Sequence, residues 1–343
     1  MTLVKNYLSL LSKKPAVTKS SIWADYLELL CLANIDGELS DEDVIKRLAI
    51  RLRDLKEGSA TEISEDEELD SDAGEKASNR SRISDKWETE LRDWFAVLIM
   101  RQASYKDFYP FVVTEREICL KKNKLSLKNK LYIYLLLCSN LNLFSKLESN
   151  QLSNSFELLS LEAFKNVMPN DAEVHLFGKN PLNKTGPFRG SLSLWEKIHN
   201  LASHVNESVS QRMHKEDFPS SNTGDGGLDI VGWIPTNDTL PSKLIFLVQC
   251  ACGEWSKKVH ESSPEDWGMR IDFTTTTVNN IFIPFCFKQA NGGWQKAADI
   301  RKAFLVDRKR ILDYCCKKKI LDYRLLPAFK IVDEIVSAKE SIL

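Results

Sequence analysis

Between Gly224 and Gly253 the chain carries the pattern that most restricts its fold. Gly224-Asp225-Gly226-Gly227-Leu228-Asp229 leads into Ile230-Val231-Gly232-Trp233. After Pro235-Thr236-Asn237-Asp238-Thr239-Leu240-Pro241-Ser242 comes a second apolar run, Leu244-Ile245-Phe246-Leu247-Val248-Gln249-Cys250-Ala251-Cys252-Gly253. Two strand-like runs around a polar stretch with two prolines predict an antiparallel hairpin, because proline cannot continue a central strand. A turn centred near residues 238 and 239 pairs Asp229 with Gln249 or its neighbour. Side chains alternate along a strand, so Asp229, Gln249 and Ala251 are expected on one face and Cys250 and Cys252 on the other. A carboxylate and an amide oxygen held together can bind Mg²⁺ or Mn²⁺, hard ions that prefer oxygen ligands. Such an ion lowers the pKa of a bound water and stabilises charge building on a phosphate.

With 343 residues the chain is long enough for two cores. The periodicity predicts helices within 21–55, over 87–103, over 131–147 and from Phe156 to a stop at Met168-Pro169, so residues 1–150 are expected to form an all-helical N-terminal domain. Ser40 and Asp43 form a capping signature before the second helix. Residues 56–84 lose periodicity and collect Glu62, Glu65, Asp66, Glu67, Glu68, Asp70, Asp72 and Glu75. They predict a disordered acidic loop, a solvated segment in preference to a nucleic-acid mimic. From 154 to 343 the pattern changes to a strand at 173–177, a helix at 192–208, the hairpin, a strand at 281–287, and helices at 300–318 and 328–339. That order predicts an α/β domain, a mixed sheet flanked by helices.

The 47 Lys and Arg against 48 Asp and Glu leave a net charge of −1, so any polyanion-binding surface must be local. Arg308, Lys309, Arg310, Lys317, Lys318 and Lys319 cluster late in the chain, where they suit either phosphate contacts or a solvated helix face. Trp255, Trp267 and Trp294 are candidates for base stacking, with core packing the default. Eight cysteines scattered through apolar runs predict a reducing compartment, and the absence of an export signal or a long apolar span places the chain in the cytoplasm, away from membrane. Cys250-x-Cys252 with His260 lacks the spacing and fourth ligand of a zinc site. Neither a phosphate loop nor a nucleophile triad is present in the sequence.

The glycine-rich acidic stretch resembles the motif of Mrr-like restriction endonucleases in the PD-(D/E)xK superfamily, whose next strand commonly carries Gln-x-Lys. The similarity spans about ten residues on each of two strands and the preceding helix. It implies a restriction-endonuclease-like fold and Mg²⁺-dependent hydrolysis of phosphodiesters, with DNA the expected substrate before RNA, and a role in bacterial restriction or anti-phage defence. Asp229 then matches the metal-binding aspartate, Gln249 the variant second position, and Glu196 the additional helix glutamate. Ala251 stands where the family has its catalytic lysine. Either the chain is an inactive relative that binds nucleic acid or protein, or the lysine has moved to Lys257 or Lys258 just beyond the strand. Retention of a costly glycine-rich motif favours the second. The N-terminal helices are then left for target recognition or a protein partner.

Overall fold

The computed structural model describes residues 2–13, 15, 19–48, 73–121, 124–219, 221, 223–295, 297–300, 302–317 and 326–339. The chain divides into two compact units, one formed by Met1–Asn129 with Gln289–Gly293 and Glu334–Leu343, the other by Lys130–Lys288 with Trp294–Asp333.

In the first unit, helices α1 (Thr2–Leu11) and α2 (Ser20–Ala33) are followed by β1 (Glu38–Ser40), a helix α3 over 41–48, the long α4 (Ala73–Tyr105), β2 (Phe111–Val113) and β3 (Glu117–Leu120). Trp23 of α2 stacks on Trp94 of α4 with ring centroids 4.1 Å apart. Beside them Arg101, fully buried, pairs with Asp25 at 2.7 Å and Glu28 at 3.0 Å, and Tyr109 donates to Glu28. A buried guanidinium is tolerated because two carboxylates surround it. The Ser40 and Asp43 signature closes as expected, with Ser40 N–H donating to Asp43 at 3.1 Å and Asp43 N–H donating back to Ser40 at 3.2 Å.

The unit is not all-helical: β1, β3 and β2 form an antiparallel sheet in that order. Strands of three or four residues are too short to show a period of two, which hides them from pattern reading. The expected acidic loop is also shortened, since 73–84 lie in the backbone of α4, and its remainder, 56–72, falls outside the described residues.

The second unit contains α5 (Leu127–Cys138), α6 (Lys146–Val167), β4 (Glu173–Leu176), α7 (Leu194–Val205), β5 (Ser208–Val209), β6 (Ile230–Ile234) and β7 (Leu244–Cys250). Then follow α8 (Trp255–Lys258), α9 (Pro264–Trp267), β8 (Ile271–Asp272), β9 (Val278–Phe282), β10 (Phe304–Val306), α10 (Arg308–Cys315) and α11 (Phe329–Ser337), which belongs to this unit as far as Asp333. A cut at 150–154 would fall inside α6, whose Phe164 packs on the sheet; the division instead falls at Asn129 and Lys130, in the first turn of α5. The run expected as one helix at 131–147 breaks after Cys138, where Asn140 bonds back to Leu136 O, and a Ser145–Glu148 capping box starts α6. Likewise 300–318 is not one helix: β10 comes first, and Asp307 then caps α10.

Five strands form a mixed sheet in the order β10-β9-β7-β6-β4. β4, β6 and β7 are antiparallel neighbours, while β7, β9 and β10 run parallel. Alternation sends Val231 and Trp233 into a cluster with Ile198 and Leu201 of α7. Gly232, between them, faces Phe164 of α6, where a Cβ would lie 3.1 Å from the ring. Phe164 also packs edge-on against Phe246 and Phe282, so helices cover both faces of the sheet. Among the described residues no helix is long and apolar enough to cross a membrane.

Candidate active site

The hairpin register runs from Ile234 opposite Leu244 to Ile230 opposite Val248. Just beyond it, Asp229 N–H donates to Val248 O at 3.0 Å and Asp229 Oδ2 accepts from Cys250 N–H, which sets Asp229 beside the Val248–Cys250 end of β7 that carries Gln249. Cys250 turns toward Ser160 of α6 and Cys252 toward Cys138 of α5, whereas Ala251 joins an apolar cluster with Val259 and Ile281. The alternation expected from the strand pattern is therefore present, and Ala251 is core.

Asp229 is 5% exposed, and its Oδ2 accepts the Cys250 backbone N–H at 2.7 Å. Burial pushes its carboxyl well above the ordinary carboxylate range, helped by the nearby charges of Glu157 and Asp225 and opposed by the Cys250 hydrogen bond and by Lys258. Glu157, on α6, accepts a 2.7 Å hydrogen bond from Asn180 Nδ2 and is lifted by burial to about 7. Asp225 accepts the Gly227 N–H at 2.9 Å, an Asx turn formed where Gly226 and Gly227 adopt φ of 60° and 85°. Both glycines occupy the left-handed region that other residues rarely enter.

Three observations suit this cluster to a small divalent cation. Gln249, 2% exposed, has its Oε1 buried with no hydrogen-bond partner among the described residues. Gly178 leaves open the space between two carboxylates, since a Cβ there would lie 3.3 Å from Asp229 Oδ1 and 3.7 Å from Asp225 Oδ2. The donors are all hard oxygens. Glu157, Asp225 and Asp229 are not drawn within 4.8 Å of one another; the one set of possible ligands that close among the described residues is Glu38, Glu117 and Cys119 in the N-terminal unit. Mg²⁺ keeps several waters, so carboxylates at this looser spacing can serve it directly or through water.

The two lysines after β7 differ. Lys257 is 78% exposed and ion-paired with Glu254. Lys258, one residue on, is half-buried, and its charge favours the ionised forms of Asp229, Glu157 and Cys250. Glu196 is elsewhere: its Oε2 accepts from the Ser193 N–H and hydroxyl, both at 2.8 Å, as the N3 residue of the capping box that starts α7. That use holds its carboxyl below the ordinary range through the Ser193 hydrogen bonds. The helix carboxylate beside Asp229 is Glu157, which pattern reading misses because Phe156-Glu157-Leu158-Leu159 looks like an ordinary helix turn. Its visible signal is an ionisable group inside an apolar run just before the first sheet strand.

The late basic cluster is partly internal. Arg308 is fully buried, with Nε donating to Pro284 O at 2.7 Å and Nη2 to Ser139 at 2.9 Å, and Lys309 pairs with Asp313. Lys318 and Lys319 fall outside the described residues. Trp267 is core at 0% exposure, while Trp294 is 45% exposed beneath the Arg310 guanidinium. No family model matches the chain, and neither a curated protein nor a solved structure is found similar to it.

Proposed function

We propose that the chain is a metal-dependent nuclease that hydrolyses DNA phosphodiesters, with a restriction-endonuclease-like second unit serving bacterial anti-phage or restriction defence. The observation that carries the proposal is the meeting, at one end of the mixed sheet, of Asp229, the unpartnered Gln249 oxygen, Glu157 and Asp225 with the charge of Lys258. Resemblance of the glycine-rich motif supports DNA over RNA and the defence setting.

In this reading Asp229 and Gln249 hold Mg²⁺ or Mn²⁺, and Glu157 and Asp225 complete the oxygen set. The ion, when bound, supplies a water of lowered pKa and neutralises charge growing on the phosphate. The Cys250 N–H fixes the rotamer of Asp229, and Asn180 fixes that of Glu157, so the donors are held before substrate arrives. Lys258, not Ala251, provides the cation that orients the attacking water and offsets the negative charge of the cluster. The carboxylate role expected at Glu196 passes to Glu157.

Purified protein incubated with supercoiled plasmid, single-stranded DNA and tRNA in Mg²⁺ or Mn²⁺, beside Asp229→Ala, tests the assignment. Metal-dependent cleavage of DNA that Asp229→Ala abolishes supports it. Cleavage that survives the substitution refutes the site, and tight DNA binding without cleavage identifies a non-catalytic binding module.

A further inference from the structure

The glycine-rich segment 223–227 has irregular backbone, and its carbonyls must be satisfied at the edge of a buried site. Their partners are unusual. Lys197, on α7, is fully buried and donates from Nζ to Thr223 O at 3.2 Å and to Gly224 O at 3.3 Å. Arg270, just before β8, donates from Nη1 to Gly226 O at 2.6 Å, its guanidinium 4.7 Å from the Trp267 ring centroid. Asp225 O, between them, accepts the Leu228 N–H at 3.2 Å. Two cations from two elements thus hold one short loop by its backbone, and neither has a carboxylate within ion-pair distance among the described residues.

Burying a cation against neutral carbonyls costs desolvation that carbonyls repay only in part. A neutral donor would satisfy the same oxygens at lower cost, so the charge itself calls for an explanation. Burial works against both charges; the negative charge of Asp225 opposes it at Lys197, and at Arg270 Asp266 does so first and Asp225 second. With the backbone held, Asp225 turns one oxygen to the Gly227 N–H and leaves Oδ2 beside the Gly178 gap and Asp229.

We propose that Lys197 and Arg270 are positioning residues that clamp the 223–227 loop and hold Asp225 in place for divalent-cation binding, an inference that rests on the metal-dependent reading above. Groups that orient a metal's ligands without touching the ion change metal affinity by about 10- to 100-fold.

The test is Mn²⁺ binding to the full-length chain by calorimetry and electron paramagnetic resonance, in wild type, Lys197→Met, Lys197→Arg and Arg270→Gln, with hydrogen exchange of the 225–229 amides. The expected result is about tenfold weaker Mn²⁺ binding and faster loop exchange in Lys197→Met and Arg270→Gln, partial recovery in Lys197→Arg, and a fall in kcat with KM for DNA unchanged. If Lys197→Met does not fold, the half-buried Arg270→Gln decides the same question. Unchanged Mn²⁺ affinity in a folded variant overturns the clamp and leaves the nuclease reading standing. Wild type that binds no Mn²⁺ overturns both.

Discussion

Asp229 Oδ2 accepts the backbone N–H of Cys250 across the end of the hairpin at 2.7 Å, so the strand that carries Gln249 also orients the aspartate beside it. That bond separates the roles of charge and shape at this position. In Asp229→Asn an amide oxygen can still accept from Cys250, while the buried charge is gone. DNA cleavage is expected to fall on the order of 10²-fold or more, and the melting temperature at pH 8 to hold or rise, because an ionised carboxylate no longer has to be buried. Paired plasmid-cleavage and thermal-melting measurements check both.

Glu157 makes stability depend on pH. Its carboxyl rises from an ordinary 4.5 to about 7 in the folded chain, so the folded state holds the proton more tightly than the unfolded one. Folding therefore loses stability as pH climbs from about 4.5 to about 7 and levels off above, by up to ~3 kcal/mol from this group. Asp229 is shifted in the same direction and adds to the loss. Glu157→Gln should flatten its share of the slope in chemical denaturation between pH 5 and pH 8. Mg²⁺ should raise the melting temperature more at pH 8 than at pH 5.5, where protons compete for the carboxylates.

Lys257 and Lys258 are adjacent, and the proposal needs only one of them. Lys258→Ala should lower the cleavage rate by about 10²- to 10³-fold, because the cation next to the carboxylates is removed. Lys257→Ala should stay within about twofold of wild type, since an exposed ion pair contributes little. Initial rates on supercoiled plasmid at saturating Mg²⁺ compare them, and equal effects of the two substitutions would remove Lys258 from the site.

The glycines of the 224–229 segment are not equivalent to other glycines nearby. At Gly227, φ is 85°, and a Cβ would lie 2.6 Å from Glu261 Cβ and 2.8 Å from Glu261 O. Gly227→Ala is expected to cost about 1–3 kcal/mol through backbone strain alone, and more through the clash. Gly253→Ala meets nothing within 4 Å and should stay within about 0.5 kcal/mol of wild type. Urea denaturation of the two variants measures the difference.

The hairpin was legible in the sequence because its information is local. A turn flanked by Pro235 and Pro241 fixes the register to within one residue, and strict alternation fixes the faces, so Asp229 near Gln249 follows from the sequence. The capping pairs Ser40–Asp43 and Ser145–Glu148 are similarly local. The short strands β1, β2 and β3 were hidden because three residues carry no measurable period. β10 was absorbed into an apparent helix because Asp307, the cap that separates the two, is a single residue in a charged stretch.

The sequence by itself determined the hairpin, its register to within one residue, the glycine-rich acidic turn and the placing of Cys250 and Cys252 on the face opposite Ala251. Only the tertiary structure decided which helix supplies a carboxylate. Glu196 and Glu157 both sit in amphipathic helices near the motif, yet Glu196 is spent on its own helix terminus while α6 packs across the sheet and brings Glu157 to Asp229. The physical reason is range: turns and alternation are set by neighbours in the chain, whereas a cluster of like charges in a buried site exists only because packing of distant elements brings them together.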